Sequence, residues 1–259
     1  MSQNWDDLKT RLVTGAALVL VGAISVWAGG VWFVAVCALA GAAMVWELSR
    51  MLAPDQGGAA VSLAIVSTMW AWVFWQGSAL VGVVALIATP LVAMFVLHRG
   101  LLIFVPYSMV LVLGAFTLAV VRANLGLWPL LWLVGVVVAT DVAGYFAGRF
   151  VGGPKFWPRI SPKKTWSGTI AGWLGAAAIG ALLVGLAQLD ARIIWLSVAM
   201  SLASQLGDIA ESAIKRRAGV KDSSDLLPGH GGVLDRFDGM VGAGLFFLVV
   251  VLPLGIFSS

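Results

Sequence analysis

The most constraining feature of this 259-residue sequence is a succession of apolar runs separated by short charged segments. Each run is about 17 to 22 residues long, enough for a helix to cross the roughly 30 Å of hydrocarbon in a bilayer. Hydrophobic residues make up 61% of the chain and charged residues only 11%, which is far from the balance of a soluble domain. The sequence therefore predicts an integral membrane protein.

The runs predict an all-α protein, a polytopic transmembrane bundle of about nine helices. Polarity rises after the fifth run, so we divide the chain into a scaffold region, residues 1–127, and a catalytic region, residues 128–259, of one membrane unit. The predicted spans are 12–29, 30–48, 59–75, 78–97, 101–121, 128–148, 168–187, 193–212 and 237–257.

The basic residues predict how the bundle is oriented. With nine spans, 14 of the 16 Lys and Arg residues fall on one side, and only Arg122 and Arg192 fall on the other. Cytoplasmic loops of membrane proteins carry the excess of Lys and Arg. We therefore expect a protein of the cytoplasmic (inner) membrane whose N-terminus is cytoplasmic and whose C-terminus is outside.

A dense polar stretch runs from residue 201 to residue 238 in this otherwise apolar chain. Its first part repeats at steps of three and four, which places the residues on one stripe of the eighth helix. We expect that stripe to face the protein interior or an aqueous cavity; the alternative is a buried polar network that only stabilises the bundle. The stripe consists of Ser201, Ser204, Gln205, Asp208, Glu211, Ser212 and Lys215.

The second part of the stretch carries a glycine-rich turn, Pro-Gly-His-Gly-Gly at 228–232, and then Asp235 and Asp238. Glycine lets backbone amides approach an anion closely. Either aspartate alone is explained most simply as a helix cap. Together with nearby lysines, however, the carboxylates suit Mg²⁺ shared with substrate phosphates, so the sequence predicts phosphoryl or nucleotidyl transfer at the cytoplasmic face.

Three further features lie outside this stretch. Asp141 falls inside the sixth apolar run, where a carboxylate is costly and by default marks function. The segment 161–168, with Lys163 and Lys164, predicts a proline-fixed turn that enters a helix N-terminus and cradles phosphate; a basic loop that only sets topology is the alternative. Glu47, near the cytoplasmic end of the second span, is expected to be a surface carboxylate.

Several segments resemble the signature of the phosphatidate cytidylyltransferase (CDP-diacylglycerol synthase) family. They are SAIKR at 212–216, KD at 221–222, LPGHGG at 227–232 and DRFD at 235–238, and the segments 141–148 and 161–166 look like family elements too. The resemblance implies that CTP and phosphatidate give CDP-diacylglycerol and pyrophosphate, a step of phospholipid biosynthesis. It also implies Mg²⁺, with Mn²⁺ as an alternative and a second, monovalent ion not excluded.

On this mechanism the polar residues take three roles. The attacking phosphate is already ionised at neutral pH, so no strong general base is needed, and we expect His230 to be a turn residue or phosphate ligand. The metal candidates are Asp208, Asp235, Asp238 and Asp141, and the catalytic candidates are Asp208, Lys215, Asp235 and Asp238. The substrate-binding candidates are Lys163, Lys164, Ser212, Arg216, Lys221, His230 and Arg236.

A cation- or proton-coupled membrane transporter is the competing prediction, because intramembrane carboxylates also carry cations. Against it, the sequence has no paired repeats, and its polar residues crowd one face. The expected partners are CTP, phosphatidate and membrane lipids, together with a second copy of the chain in a homodimer through the early spans. No nucleic acid is expected.

Overall fold

The structure is a computed structural model that describes residues 2–74 and 79–257. Helices dominate the described residues. They are α1 (Ser2–Ala28), α2 (Gly30–Leu52), α3 (Gly57–Val66), α4 (Met69–Phe74), α5 (Ala79–Val96), α6 (Leu101–Val120), α7 (Leu127–Phe150), α8 (Trp166–Ala187), α9 (Arg192–Ala218) and α10 (Leu234–Phe246). Short π-helical segments follow α6 and α10, at Val121–Leu125 and Phe247–Val251.

The all-α membrane bundle predicted from the sequence is confirmed. Seven helices of the described chain, with α3 and α4 counted together as Gly57–Phe74, are long and apolar enough to cross a membrane. The fourth predicted span appears as the shorter apolar helix Val83–Val96. The ninth consists of α10 and the π-helical segment that follows it. The predicted span ends at Trp75 and Ser78 lie outside the described residues.

The third predicted span is divided into α3 and α4. The hydroxyls of Ser67 and Thr68 donate to the carbonyl oxygens of Ala64 and Ile65, both at 2.7 Å. Such side chains compete with the backbone for hydrogen bonds and weaken a helix. The break therefore follows from two adjacent hydroxyl residues inside an apolar run.

The chain forms two compact units. The first comprises Met1–Ala119 and Arg217–Phe237, and the second comprises Val120–Arg216 and Asp238–Ser259. Part of the polar stretch thus groups with the N-terminal helices, which a division at residue 127 does not anticipate. The functional division into scaffold and catalytic regions stays a prediction.

A small hairpin precedes α8 where the sequence predicted only a turn. Strand β1 (Lys155–Trp157) pairs antiparallel with β2 (Ser161–Thr165). Successive strand residues point to opposite faces, so Lys163 is exposed while Lys164 is half-buried. Thr165 then caps α8, because its side chain accepts a hydrogen bond from the amide of Gly168 at 3.2 Å.

Small residues let the helices of the second unit approach closely. A Cβ added to Gly168 of α8 would lie 2.6 Å from the carbonyl oxygen of Gly144 in α7. On α9, Gly207 faces Gly242 of α10 at a similarly close crossing. Close backbone contact of this kind is how membrane helices pack without a hydrophobic driving force.

Candidate active site

Three carboxylates meet where α9 and α10 cross in the second unit. Asp208 and Glu211 lie one turn apart on α9, Asp238 belongs to α10, and one oxygen of each lies within 4.8 Å of the others. A side chain at Gly207 would overlap the backbone oxygen of Asp238, so the glycine permits the approach. We call Asp208, Glu211 and Asp238 the acidic cluster.

Two lysines neutralise part of the acidic cluster. Lys164 Nζ lies 2.5 Å from Asp208 Oδ2, and Lys215 Nζ lies 2.6 Å from Glu211 Oε2, one helical turn away. The Glu211 side chain is only 1% exposed and that of Lys215 only 11%, and a buried charge is tolerated only when it is paired in this way. Three carboxylates and two ammonium groups leave a formal charge of −1.

Two neutral donors also contact the acidic cluster. Ser212 Oγ donates to Asp208 Oδ1 at 3.2 Å, and the amide of Gly239 donates to Asp238 Oδ1 at 2.7 Å. The ligand atoms are all oxygens, which is the donor set that Mg²⁺ and Mn²⁺ prefer. The cluster therefore fits a divalent cation by donor type, spacing and residual charge.

The structure brings together Asp208 and Asp238 of the predicted metal ligands and adds Glu211. The sequence had placed Glu211 on the polar stripe without assigning it a ligand role. That stripe faces the interior, since Ser201, Ser204 and Glu211 are at most 1% exposed. The side chain of Gln205 also has partners there: it accepts from Trp173 Nε1 at 3.1 Å and donates to the backbone at 3.2 Å.

A cavity of about 410 Å³ lies beside Asp208 in the second unit. Its walls come from α7, β2, α8 and α9 and carry both signs of charge, and its size is that of a small-molecule site. Asp141, Tyr145 and Gly148, spaced by four and three residues, share the wall formed by α7. The charged residues of the wall are Asp141, Arg149, Lys163, Lys164 and Asp208.

The glycine-rich turn belongs to the first unit and is closed by its own hydrogen bonds. The amide of Leu227 donates to Gly231 O and the amide of His230 donates to Leu227 O, both at 2.8 Å. Gly229 and Gly231 have φ values of +75° and +81°, a region that side chains disfavour. Arg236 Nε donates to His230 O at 3.1 Å, so this predicted phosphate ligand also stabilises the turn.

The turn packs against α1. A Cβ added to Gly15 would lie 3.4 Å from His230 Nε2, and one added to Gly229 would lie 2.8 Å from Arg11 Cγ. Within the first unit, therefore, the turn rests on the N-terminal helix.

Two other predicted phosphate ligands, Arg216 and Lys221, are exposed.

Glu47 of α2 is buried, so the expectation of a surface carboxylate is wrong. Its exposed fraction is 0%. Oε1 accepts from Ser224 Oγ at 2.6 Å and from the amide of Val233 at 2.8 Å. Oε2 accepts from the amide of Leu234 at 2.7 Å, and Ser223 Oγ lies 3.3 Å away. All four partners are more than 170 residues distant along the chain, which is why local sequence reasoning missed them.

Asp235 has a similar environment. Its Oδ2 accepts from the amide of Ser223 at 2.9 Å, from the amide of Gly232 at 2.7 Å and from Ser223 Oγ at 2.8 Å. These donors lie before α10, which begins at Leu234, so Asp235 fixes the segment that leads into the helix and does not cap its first amides. A metal role for Asp235 stays a prediction. We call Glu47 and Asp235 the anchoring carboxylates.

Comparison with known proteins gives similarity along nearly the whole chain. The sequence profile of the cytidylyltransferase family matches residues 9–253. A phosphatidate cytidylyltransferase of Brucella suis is 36% identical over 280 residues, covering 98% of this chain and 99% of that protein. One from Helicobacter pylori is 32% identical, covering 90% of this chain and 88% of the relative. One from Haemophilus influenzae is 45% identical over 130 residues, or 47% of this chain and 45% of the relative.

Proposed function

The chain belongs to the cytidylyltransferase family, and we propose that it transfers the cytidylyl group of CTP to phosphatidate, forming CDP-diacylglycerol and pyrophosphate. The similarity to phosphatidate cytidylyltransferases over nearly the whole chain supports this choice of substrates. The structural observation that supports it most is the acidic cluster beside a cavity whose wall includes Arg149, Lys163 and Lys164. The reaction is a step of phospholipid biosynthesis in a membrane.

Asp208, Glu211 and Asp238 would hold the divalent cation, which we propose is Mg²⁺, with Mn²⁺ as a substitute. When bound, the cation supplies charge neutralisation to the triphosphate and to the departing pyrophosphate. A second, monovalent ion is compatible with the proposal. Asp141 and Asp235, the other predicted ligands, stay candidates.

The side chains of the cavity wall bind and orient the substrates through their positions and charges. Arg149, Lys163 and Lys164 line the cavity and bind phosphate oxygens, with Lys164 also balancing Asp208. A phosphatidate oxygen forms a bond to the α-phosphorus of CTP, and the bond from that phosphorus to the bridging oxygen breaks. The electron pair of the broken bond leaves with pyrophosphate. No proton need be removed from the nucleophile, because the attacking phosphate oxygen is already ionised at neutral pH.

Other predicted contacts remain part of the proposal. Lys215 pairs with Glu211 and keeps the buried charge of the site balanced, which is the role that we assign to it. The remaining substrate-binding candidates are Ser212, Arg216, Lys221, His230 and Arg236.

The protein is an integral membrane protein, and we propose that the site opens to the cytoplasm. In the second unit α7 ends beside Arg149 and α9 carries Lys215 and Arg216 near its end. Arg122 precedes α7, and Arg192 begins α9. The basic ends, like the cavity, belong on the cytoplasmic side. The N-terminus is then cytoplasmic and the C-terminus outside, in the inner membrane. The homodimer stays a prediction, and nothing favours the transporter.

The decisive experiment is an assay of the purified protein in detergent with radiolabelled CTP and a series of lipid acceptors. We expect label in lipid, with release of pyrophosphate, when phosphatidate and Mg²⁺ or Mn²⁺ are both supplied. Diacylglycerol, which lacks the phosphate nucleophile, serves as the matched acceptor control. Absence of labelled lipid with phosphatidate would overturn the proposed reaction, and undiminished turnover in excess chelator would overturn the metal.

A further inference from the structure

We infer that Glu47 is a positioning residue for cytidylyl transfer, which fixes the segment 223–234 and the start of α10 in their working positions. The inference rests on the proposed function for its catalytic part. Glu47 lies on α2, in the region predicted to be a scaffold, and it is not one of the predicted substrate-binding residues. Its effect would pass through the residues that it binds.

The first argument is the match between the carboxylate and its partners. An ionised carboxylate accepts hydrogen bonds only and offers about four lone-pair sites. The described groups at hydrogen-bond distance are two hydroxyls and two backbone amides, and each can donate. Each oxygen of Glu47 accepts from one backbone amide, a group that can only donate, so the site selects a carboxylate over the amide of the same shape.

The second argument is the position of two of these donors. The first amides of a helix have no partner within the helix, and α10 begins at Leu234. Val233 and Leu234 donate to Glu47 instead, and Leu234 is 0% exposed, so water does not replace the contact. The negative charge also suits the positive end of the helix. Glu47 therefore caps α10 from a distant helix.

The third argument is the link from Glu47 to Asp235. The Ser223 hydroxyl lies 3.3 Å from Glu47 Oε2 and 2.8 Å from Asp235 Oδ2, so it can donate to either carboxylate. A Cβ added to Gly232 would overlap both Ser223 Oγ and Glu47 Oε1, so the junction has no spare room. Asp238 follows three residues after Asp235 in α10, so a shift of the helix start displaces a member of the acidic cluster.

The test compares Glu47→Gln with Ser49→Ala in the full-length protein. Ser49 lies two residues away on α2 and is 1% exposed, and its hydroxyl has no hydrogen-bond partner in the described chain. In Glu47→Gln the new side-chain NH₂ group faces the amide of Val233 or Leu234, and two donors cannot form a hydrogen bond with each other. We expect kcat to fall by roughly 10- to 100-fold, as for other residues that orient a catalytic ligand, with KM for CTP unchanged. Ser49→Ala should match the wild type.

Two readouts separate positioning from general stabilisation. Hydrogen–deuterium exchange of a peptide covering 223–236 should speed up in Glu47→Gln, while the peptides of α7 and α8 keep their wild-type rates. Ser224→Ala should lower kcat by itself, and its effect should be smaller in the Glu47→Gln background, because both changes break the same contact. Ser224→Ala also serves if Glu47→Gln does not fold.

The outcomes are distinguishable. Wild-type exchange in 223–236, or wild-type kcat with faster exchange, would overturn the inference. Equal loss of protection throughout the protein would assign Glu47 a purely stabilising role and overturn it as well. A wild-type protein without cytidylyl transfer would instead overturn the proposed function, and the exchange rates would still decide whether Glu47 fixes the segment.

Discussion

The acidic cluster and the anchoring carboxylates differ in what surrounds their oxygens. The anchoring carboxylates, Glu47 and Asp235, accept from backbone amides and serine hydroxyls. In the acidic cluster, two of the three carboxylates pair with lysine ammonium groups, at 2.5 and 2.6 Å. The same chemical group is therefore held in two ways within one chain.

This difference indicates a difference in role. Backbone amides cannot leave without unfolding their segment, so a carboxylate saturated by them is a fixed structural element. A lysine side chain is flexible, so its ammonium group can move away from a carboxylate and bind a phosphate instead. Carboxylates paired with lysine can thus exchange one positive partner for another, which is what binding a metal and a triphosphate requires.

The largest effect should come from removing one charge of the acidic cluster. Asp238→Asn keeps the shape but weakens cation binding, and we expect turnover to fall at least about 100-fold, as when a catalytic electrostatic contact is removed. Thermal unfolding without divalent cation should change little, because the substitution also relieves repulsion between carboxylates. Turnover near the wild-type value, measured with saturating Mg²⁺, would remove Asp238 from the site.

The second test asks whether the lysines are exchangeable partners. Lys164→Met removes the ammonium group next to Asp208, and we expect roughly a 10-fold rise in KM for CTP, the cost of about 1.4 kcal/mol of phosphate binding. Lys163→Met is the comparison variant: Lys163 also lines the cavity but is more exposed than Lys164, so we expect a smaller rise in KM for CTP. An equal rise in KM for both variants would show that CTP binding depends only on the total positive charge of the cavity wall.

Asp235→Asn tests the anchoring role against the predicted metal role. The amide group loses the charge that draws the Ser223 and Gly232 amides together, so we expect the free energy of unfolding to fall by about 1–3 kcal/mol. If Asp235 is also a metal ligand, turnover falls as far as in Asp238→Asn. Denaturation and kinetics measured on the same preparation separate the two roles.

The acidic cluster also depends on the close approach of α9 and α10. Gly207→Ala places a methyl group against the backbone oxygen of Asp238, and overpacking of this kind costs about 1–3 kcal/mol. Gly185→Ala in α8 is the control, since a Cβ there meets nothing within 4 Å. A Gly207→Ala protein as stable as Gly185→Ala would contradict the crossing described above.

The smallest effect is expected at an exposed ion pair. Arg192 lowers the pKa of Asp190 through hydrogen bonds from its side chain and its amide. A lowered pKa means that this contribution is present above the ordinary pKa of Asp and is lost as the pH falls through the lowered value. Because exposed pairs contribute little, Asp190→Asn should leave both turnover and Tm unchanged at neutral pH.

Much of the fold was accessible from the sequence because its cause is local. Runs such as 101–121 and 168–187 are apolar over a full membrane thickness, and a helix is the structure that satisfies its backbone there. The division of the third span at Ser67 and the hairpin at 155–165 were missed. Both depend on hydrogen bonds that the hydropathy pattern does not contain.

The candidate site was only partly accessible. Asp208 and Glu211 are three residues apart, and this spacing alone predicts that they share one face of a helix. That Asp238 joins them depends on the packing of Gly207 against α10, and that Asp235 is held by Ser223 and Gly232 depends on the conformation of a loop. Glu47 was misread as a surface residue because all its partners follow more than 170 residues later.

The sequence by itself determined the membrane-spanning class, the polar stripe of α9 and the motif segments, since each arises from composition or short-range periodicity. Only the tertiary structure decided which carboxylates are satisfied by backbone amides and which by lysines. The physical reason is that a carboxylate is stabilised by whatever donor or cation lies within about 3 Å of it, and for Glu47 and Asp208 those neighbours include residues far away in the sequence, Leu234 and Lys164.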